Sequence, residues 1–187
     1  IAEKAVRSNR KESSLAEELI KTYNSISKLD LALDPDKIYF VKSNHDEFLT
    51  RYLADGRYIS DPENHYLSLS IAKALFENED TLKRGFKEVN LPLNDNWIFL
   101  DRNSSIKIGG VECASHGDLG LNGAQPSLAT LEKVYGNCIV GHTHSAAIQR
   151  GVFRVGTLSK LDMGYNRGPS SWTQTCCLLY ENGQRQL

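Results

Sequence analysis

Cys138-Ile139-Val140-Gly141-His142-Thr143-His144 is the stretch on which the fold turns. Three apolar residues make a brief strand of the buried kind, which delivers a glycine and two histidines. In an extended segment, side chains two apart point the same way, with Cα atoms about 6.5–7 Å apart. Two imidazoles so placed face one cavity and reach neighbouring metal ions about 3.5–4 Å apart. Gly141 has no side chain and lets the turn pack closely. A polar hairpin with two exposed histidines gives the same string, so GHTH alone favours the metal only modestly.

Two further motifs end on histidine-bearing turns. Residues 37–42 (KIYFVK) form a β-branched and aromatic run that exits at Ser43-Asn44-His45-Asp46. Asn44 offers a neutral amide oxygen suited to a hard divalent ion. His45 can donate a proton to a leaving oxygen or hold negative charge at phosphorus. Asp46 can fix a neighbouring ring or loop. An Asn-rich turn that starts a helix at Glu47 is the plainer reading of this motif alone. A strand expected at 111–115 runs into His116-Gly117-Asp118, where a satisfied histidine and a metal ligand are equally compatible with the string. The three motifs hold four of the five histidines. All sit at the carboxyl ends of expected strands, where α/β sheets place ligands. The remaining one, His65, falls inside an expected helix and reads as a surface residue.

Size and composition bound the answer. The chain has 187 residues, 40% hydrophobic and 24% charged, with a net charge of −1. That is enough for a single domain, 1–187, with its own core. No apolar run approaches a membrane span, and no signal peptide is visible. The balanced charge leaves no electrostatic footprint for nucleic acid or anionic membrane. It does not exclude nucleic acid, because bound metal ions can meet the phosphate. Cys113, Cys138, Cys176 and Cys177 show no C-x-x-C spacing. This argues for a reduced, intracellular protein and against a cysteine zinc site. The only methionine is Met163, and the chain reads as a piece or processed product of something longer.

Residues 14–29 read as an amphipathic helix with a Ser14/Glu17 capping box. Leu15, Leu19, Tyr23 and Ile26 share one face, and Asp34-Pro35-Asp36 stops the helix. Asp61-Pro62 predicts a cap and first turn for a helix running to about Glu77, with Leu67, Ile71, Ala74 and Leu75 on its face. A second short helix is expected at 80–88. Leu91-Pro92 and Asn94-Asp95-Asn96 break the pattern. Strands follow at 97–100, 105–109 and 111–115. Pro126 opens a helix with Leu128, Leu131 and Val134 on a face, ended by Gly136-Asn137. The last strands are expected at 146–150, 152–157 and 173–181, with a Gly/Pro/Ser-rich loop at 164–171. The order predicts a layered α/β domain with one mixed sheet and one more antiparallel sheet.

Taken in order, the motifs resemble the later blocks of the calcineurin-like metallophosphoesterases. That family's signature runs Asp-x-His, Gly-Asp, Gly-Asn-His-(Asp/Glu), a lone His, then Gly-His-x-His. The last three blocks are matched here, with Ser43 in place of the usual glycine. No Asp-x-His or Gly-Asp block precedes Ser43. The resemblance implies an α/β fold of two packed mixed sheets flanked by helices, with the N-terminal strands missing. The chain would then be the C-terminal portion of a metallophosphoesterase catalytic domain.

The resemblance also implies roles. Asn44, His116 and His142 correspond to ligands of the second metal, and His144 to a ligand of the first. His45 corresponds to the residue that stabilises the phosphoryl transition state or protonates the leaving group. A metal-bound hydroxide would attack phosphorus in line while two metals spread the charge. The donor set suits manganese, with iron, zinc or magnesium as alternatives. A phosphodiesterase or nuclease is the leading expectation. A phosphomonoesterase, acting on protein or nucleotide, and a non-catalytic interaction module on the same scaffold are the alternatives. By itself the chain should bind the second metal weakly, the first hardly at all, and catalyse little. It should expose an unpaired sheet edge for the missing N-terminal segment or another chain. The tail from Gly156 to Trp172 is similar to phage-encoded members of the family, some associated with DNA degradation or transfer. DNA is therefore a candidate substrate and the host cytoplasm a candidate location. Tyr165, Arg167 and Trp172 are candidates to touch phosphate and base, or else parts of a solvated loop with one packed aromatic.

Overall fold

The computed structural model describes residues 14–163 and 168–187; Tyr165 and Arg167 lie outside the described residues. The chain is α/β and divides into two compact units. The first takes in the chain up to Phe40 and His45–Phe99. The second takes in Val41–Asn44 and Leu100–Leu187.

Among the described residues, four α-helices, a short 3-10 turn (Arg57–Ser60) and two strands make the first unit. Helix α1 (Leu15–Leu33) is capped by the Ser14 hydroxyl, which accepts from the Glu17 N–H at 3.3 Å. It ends where Asp34 turns left-handed at φ 44°, four residues later than the periodicity predicts. Strand β1 (Ile38–Phe40) pairs in parallel with β2 (Trp97–Phe99), and each has one strand partner among the described residues. Helix α2 (Asp46–Ala54) starts directly after His45. Helices α3 (His65–Glu77) and α4 (Thr81–Glu88) follow. Asp80 caps α4, its carboxylate accepting from the N–H groups of Leu82 and Lys83 at 2.9 and 3.0 Å.

Two expectations fail here. Pro62 does not open α3, because the Asp61 carboxylate is already taken by the Tyr52 hydroxyl and the Asn64 amide. Residues 61–64 close a turn instead, and the helix begins at His65. His65 is not a surface residue; it is half-buried and meets the Tyr58 ring edge-on at 5.7 Å.

Leu19, Leu53, Ile71, Ala72, Phe86 and Trp97 form the core of this unit. One buried carboxylate ties it together. Asp30 accepts from the Asn94 and Asn96 amides at 2.6 and 3.0 Å and from the Trp97 indole at 2.8 Å. The residues that break the helical pattern thus serve as donors. These bonds, from Asn96 first and then Asn94 and Trp97, hold the Asp30 carboxyl below the usual range. A depressed folded value stabilises the fold above the unfolded value of about 3.9 and loses that contribution as pH falls through the folded one. Asp30→Asn should therefore melt lower at neutral pH and lose less further stability on acidification below about pH 4 than the parent. Melts followed by circular dichroism across pH 2–7 check this, and parallel wild-type and variant curves would refute it.

The second unit is built on a five-stranded mixed sheet of order β3-β4-β5-β7-β6. Its strands are β3 (Lys107–Ile108), β4 (Val111–Glu112), β5 (Cys138–Val140), β6 (Ala147–Gln149) and β7 (Val152–Arg154). The contiguous β4, β5 and β7 run parallel, so their carboxyl ends emerge on one side. Helix α5 (Leu128–Tyr135) supports β5 through Leu131. Ser127 caps it by accepting from the Thr130 N–H at 3.2 Å, which leaves Pro126 outside the first turn. Val134 is 39% exposed rather than on the packed face, and Tyr135 packs there instead.

The expected strand at 173–181 is in the ladder only at β8 (Leu178–Leu179), which pairs with an unexpected β9 (Arg185–Gln186). Residues 173–175 bond irregularly to 144, 156 and 157. Arg185 staples this hairpin to the sheet, donating to the carbonyl of Gly151 at 2.6 Å and lying 4.4 Å over the Phe153 ring.

Candidate metal centre

Every ligand candidate from the three motifs lies in the second unit: Asn44, His116, His142 and His144. Two of the three loops that carry them leave the parallel strands on one side. After β4 the chain runs four residues to His116; after β5 it reaches Gly141 at once. The loops are joined directly, since the Gly141 N–H donates to the His116 carbonyl at 2.9 Å. Gly117 lets them approach: its φ is 94°, and a Cβ there would sit 2.8 Å from Val140 Cβ.

Asn44, His116 and His142 come together. Asn44 Oδ1 and His116 Nε2 are 3.0 Å apart, although 72 residues separate them in sequence. The His116 and His142 rings meet edge-on with centroids 5.3 Å apart. His142 Nδ1 is buried and has no hydrogen-bond partner. A donor–donor separation near 3 Å is that of two neighbouring ligands on an ion with bonds of about 2.1 Å. An unsatisfied buried imidazole nitrogen is costly unless something meets it. The amide oxygen and imidazole nitrogens present therefore fit a borderline divalent ion. Binding through His116 Nε2 requires its proton to sit on Nδ1.

His144 is placed differently. Its ring meets the Trp172 indole edge-on at 4.4 Å, and its carbonyl accepts from the Thr173 N–H at 2.9 Å. Among the described residues, no three His, Cys, Asp or Glu side chains group closely enough to hold an ion. The reason His144 diverges is in the backbone. Residues 141–144 are not extended, which corrects the alternation argument. The Thr143 N–H folds back to the Gly141 carbonyl at 3.0 Å. His142 and His144 both take left-handed conformations, at φ 73° and 61°. For residues with a Cβ this is strained, and such strain concentrates at functional sites.

His45 belongs to the first unit. It is exposed, precedes α2, and stacks on Phe48 with centroids 5.2 Å apart. It lines a cavity of about 450 Å³ with Asp46, Phe48, Tyr52 and Asp61. The plainer reading of SNHD as a helix-starting turn is also realised, with Asp46 in the first turn of α2.

Asp118 pairs with Arg102, which also donates to the Lys42 carbonyl at 2.9 Å. Sequence reasoning passed over Arg102. Its signal was positional: it leaves β2 as the motif residues leave their own strands. Below the loops, Glu112 is buried in β4. Burial pushes its carboxyl up, but the Ser105 hydroxyl and the N–H groups of Ala114, Ile106 and Cys113 outweigh that and hold it low. Glu112 is thus ionised and fully engaged as a brace for the 105–114 turn. All four cysteines are free thiols. Burial pushes Cys138 up to about 11, so it stays protonated at neutral pH and is a poor ligand.

The chain is 40% identical over 166 residues to Protein A1 of Escherichia phage T5. The match takes in 82% of this chain and 29% of that protein, so the chain spans less than a third of that relative's length. No protein-family model matches the chain, and no solved structure matches it. No helix among the described residues is long and apolar enough to cross a membrane.

Proposed function

We propose that the protein is a metal-dependent phosphoester hydrolase of the calcineurin-like metallophosphoesterase kind, acting on phosphodiesters, with DNA as the favoured substrate. The observation that carries the reading is that Asn44, His116 and His142, far apart in sequence, come together, with the His142 Nδ1 buried and unsatisfied. The family's layered two-sheet architecture belongs to the same reading. A divalent ion held there, manganese by the donor balance, would neutralise phosphoryl charge and supply a nucleophile at neutral pH. Asn44 Oδ1, His116 Nε2 and His142 hold the ion, and His144 serves a second one. His45 donates its proton to the leaving oxygen. The remaining ligands come from a part of the full-length protein outside this chain. An edge of the β1–β2 pair, which has no further strand partner among the described residues, is the line where a further strand docks, from that part or from another chain. The similarity to a phage protein supports a phage setting, and with it the host cytoplasm.

Titration calorimetry with manganese tests the site on this chain. The wild type should bind one ion weakly, and His142→Ala and Asn44→Ala should each lower the affinity roughly tenfold or more. Wild-type affinity in both variants would sink the metal reading. In the full-length protein, His45→Ala should remove hydrolysis of a generic phosphodiester and leave manganese bound. Undiminished turnover in that variant would sink the role of His45. Turnover of monoesters alone would make the protein a monoesterase.

A further inference from the structure

Arg102 stands just beyond β2, at the head of the second stretch of the second unit. Its guanidinium reaches two segments that are remote from each other in sequence. One arm, Nη1, donates to the Lys42 carbonyl at 2.9 Å; the other, Nη2, pairs with the Asp118 carboxylate. Lys42 is two residues before Asn44, and Asp118 two residues after His116. Both charged side chains are largely buried, at 19% and 11% exposure. The planar fork of an arginine can satisfy a carbonyl and a carboxylate at once in fixed directions, which the single ammonium of a lysine cannot.

We infer that Arg102 is the positioning residue of the metal centre. It clips the 41–44 segment to the 116–118 loop and thereby sets the Asn44 Oδ1–His116 Nε2 separation. The inference rests on the proposed metal site, but the clip itself is a property of the metal-free protein. The Asn44–His116 bond is a single contact between side chains, and an ion binding there would have to displace it. A ligand pair that must give up its mutual hydrogen bond keeps its spacing only if the backbones behind it are held. Arg102 holds both. Outer-shell partners that orient ligands in this way are typically worth 10–100-fold in metal affinity.

The test uses this chain and two readouts. The first is the nitrogen-15 shift of His116 Nε2 in the metal-free protein, seen in long-range proton–nitrogen spectra. The second is manganese affinity by calorimetry. Arg102→Met should move the Nε2 signal to the position it takes in Asn44→Ala and lower manganese affinity by about 10–100-fold. Arg102→Lys keeps the charge but reaches only one partner, and should not restore the signal. Asp118→Asn preserves volume and an acceptor oxygen; it guards against a misfolded Arg102 variant and should show a smaller shift of the same sign. A wild-type Nε2 signal in folded Arg102→Met overturns the clip, whatever the metal does. If that signal moves while Asn44→Ala and His142→Ala bind manganese as the wild type does, the clip stands and the metal site falls.

Discussion

Phe86→Ala should cost the first unit about 3–5 kcal/mol, most of the stability of a small domain. The ring is fully buried in α4. It meets Tyr23 edge-on at 5.6 Å, Trp97 at 6.3 Å and Phe99 at 6.5 Å. The cost of removing it depends on whether the neighbours can collapse into the space. Here two cannot move freely. Trp97 is tied through its indole to Asp30, and the Tyr23 hydroxyl donates to the Pro92 carbonyl at 2.7 Å. The cavity should therefore persist. Urea unfolding followed by circular dichroism measures the loss, and Trp97 fluorescence reports the same site. Phe86→Leu, which fills much of the volume, should cost far less. A loss under about 1 kcal/mol for the alanine variant would mean that the neighbours collapse into the space and the cavity does not persist.

Gly117→Ala should cost roughly 2–5 kcal/mol and remove manganese binding with it. Two penalties add. The backbone stands at φ 94°, a conformation that side chains rarely adopt, and the new methyl would press on Val140 Cβ at 2.8 Å and Cγ2 at 3.2 Å. Val140 is itself buried in β5 and cannot yield. The loop must then shift, and His116 and Asp118 flank the residue on either side. Thermal melts measure the first effect and calorimetry the second. Gly110→Ala makes a useful contrast, because it shares the positive φ but meets nothing within 4 Å. It should lose stability from strain alone and keep its metal. Equal behaviour of the two variants would show that the contact with Val140 is unimportant.

Element type was legible in the sequence where local chemistry decides it. The Ser14 cap accepts from the Glu17 N–H as the Ser14/Glu17 pattern expects, and α4 at Thr81–Glu88 stands close to the expected 80–88. Ile71 and Ala74 are fully buried, as the periodicity of α3 predicts. Boundaries failed where a side chain was spent elsewhere. Asp61 could have capped α3, but Asn64, three residues on, and Tyr52, nine residues back, claim its carboxylate. Asn94 and Asn96 looked like mere breakers, because Asp30 lies more than sixty residues upstream of them. In the candidate site, the residue types and their order were legible, whereas the conformation was not. Nothing in GHTH announces that both histidines turn left-handed: the Thr143–Gly141 bond is local, but Thr173 holds the His144 carbonyl and the His116 carbonyl holds the Gly141 N–H from other loops. Arg102 shows in the sequence only its position after β2, because both of its partners are set by tertiary structure alone.

The interleaving of the two units bears on how the chain is made. Val41–Asn44 belongs with residues that begin only at Leu100. During synthesis Asn44 emerges 72 residues ahead of His116, a delay of roughly 4–14 s at 5–20 residues per second. Over that interval the first unit can complete its own core, yet Asn44 must stay unclaimed by it. The short turn between β1 and α2 suits that wait, since Lys42, Ser43, Asn44 and His45 are polar and Val41 is its one apolar side chain while the partner is still being translated.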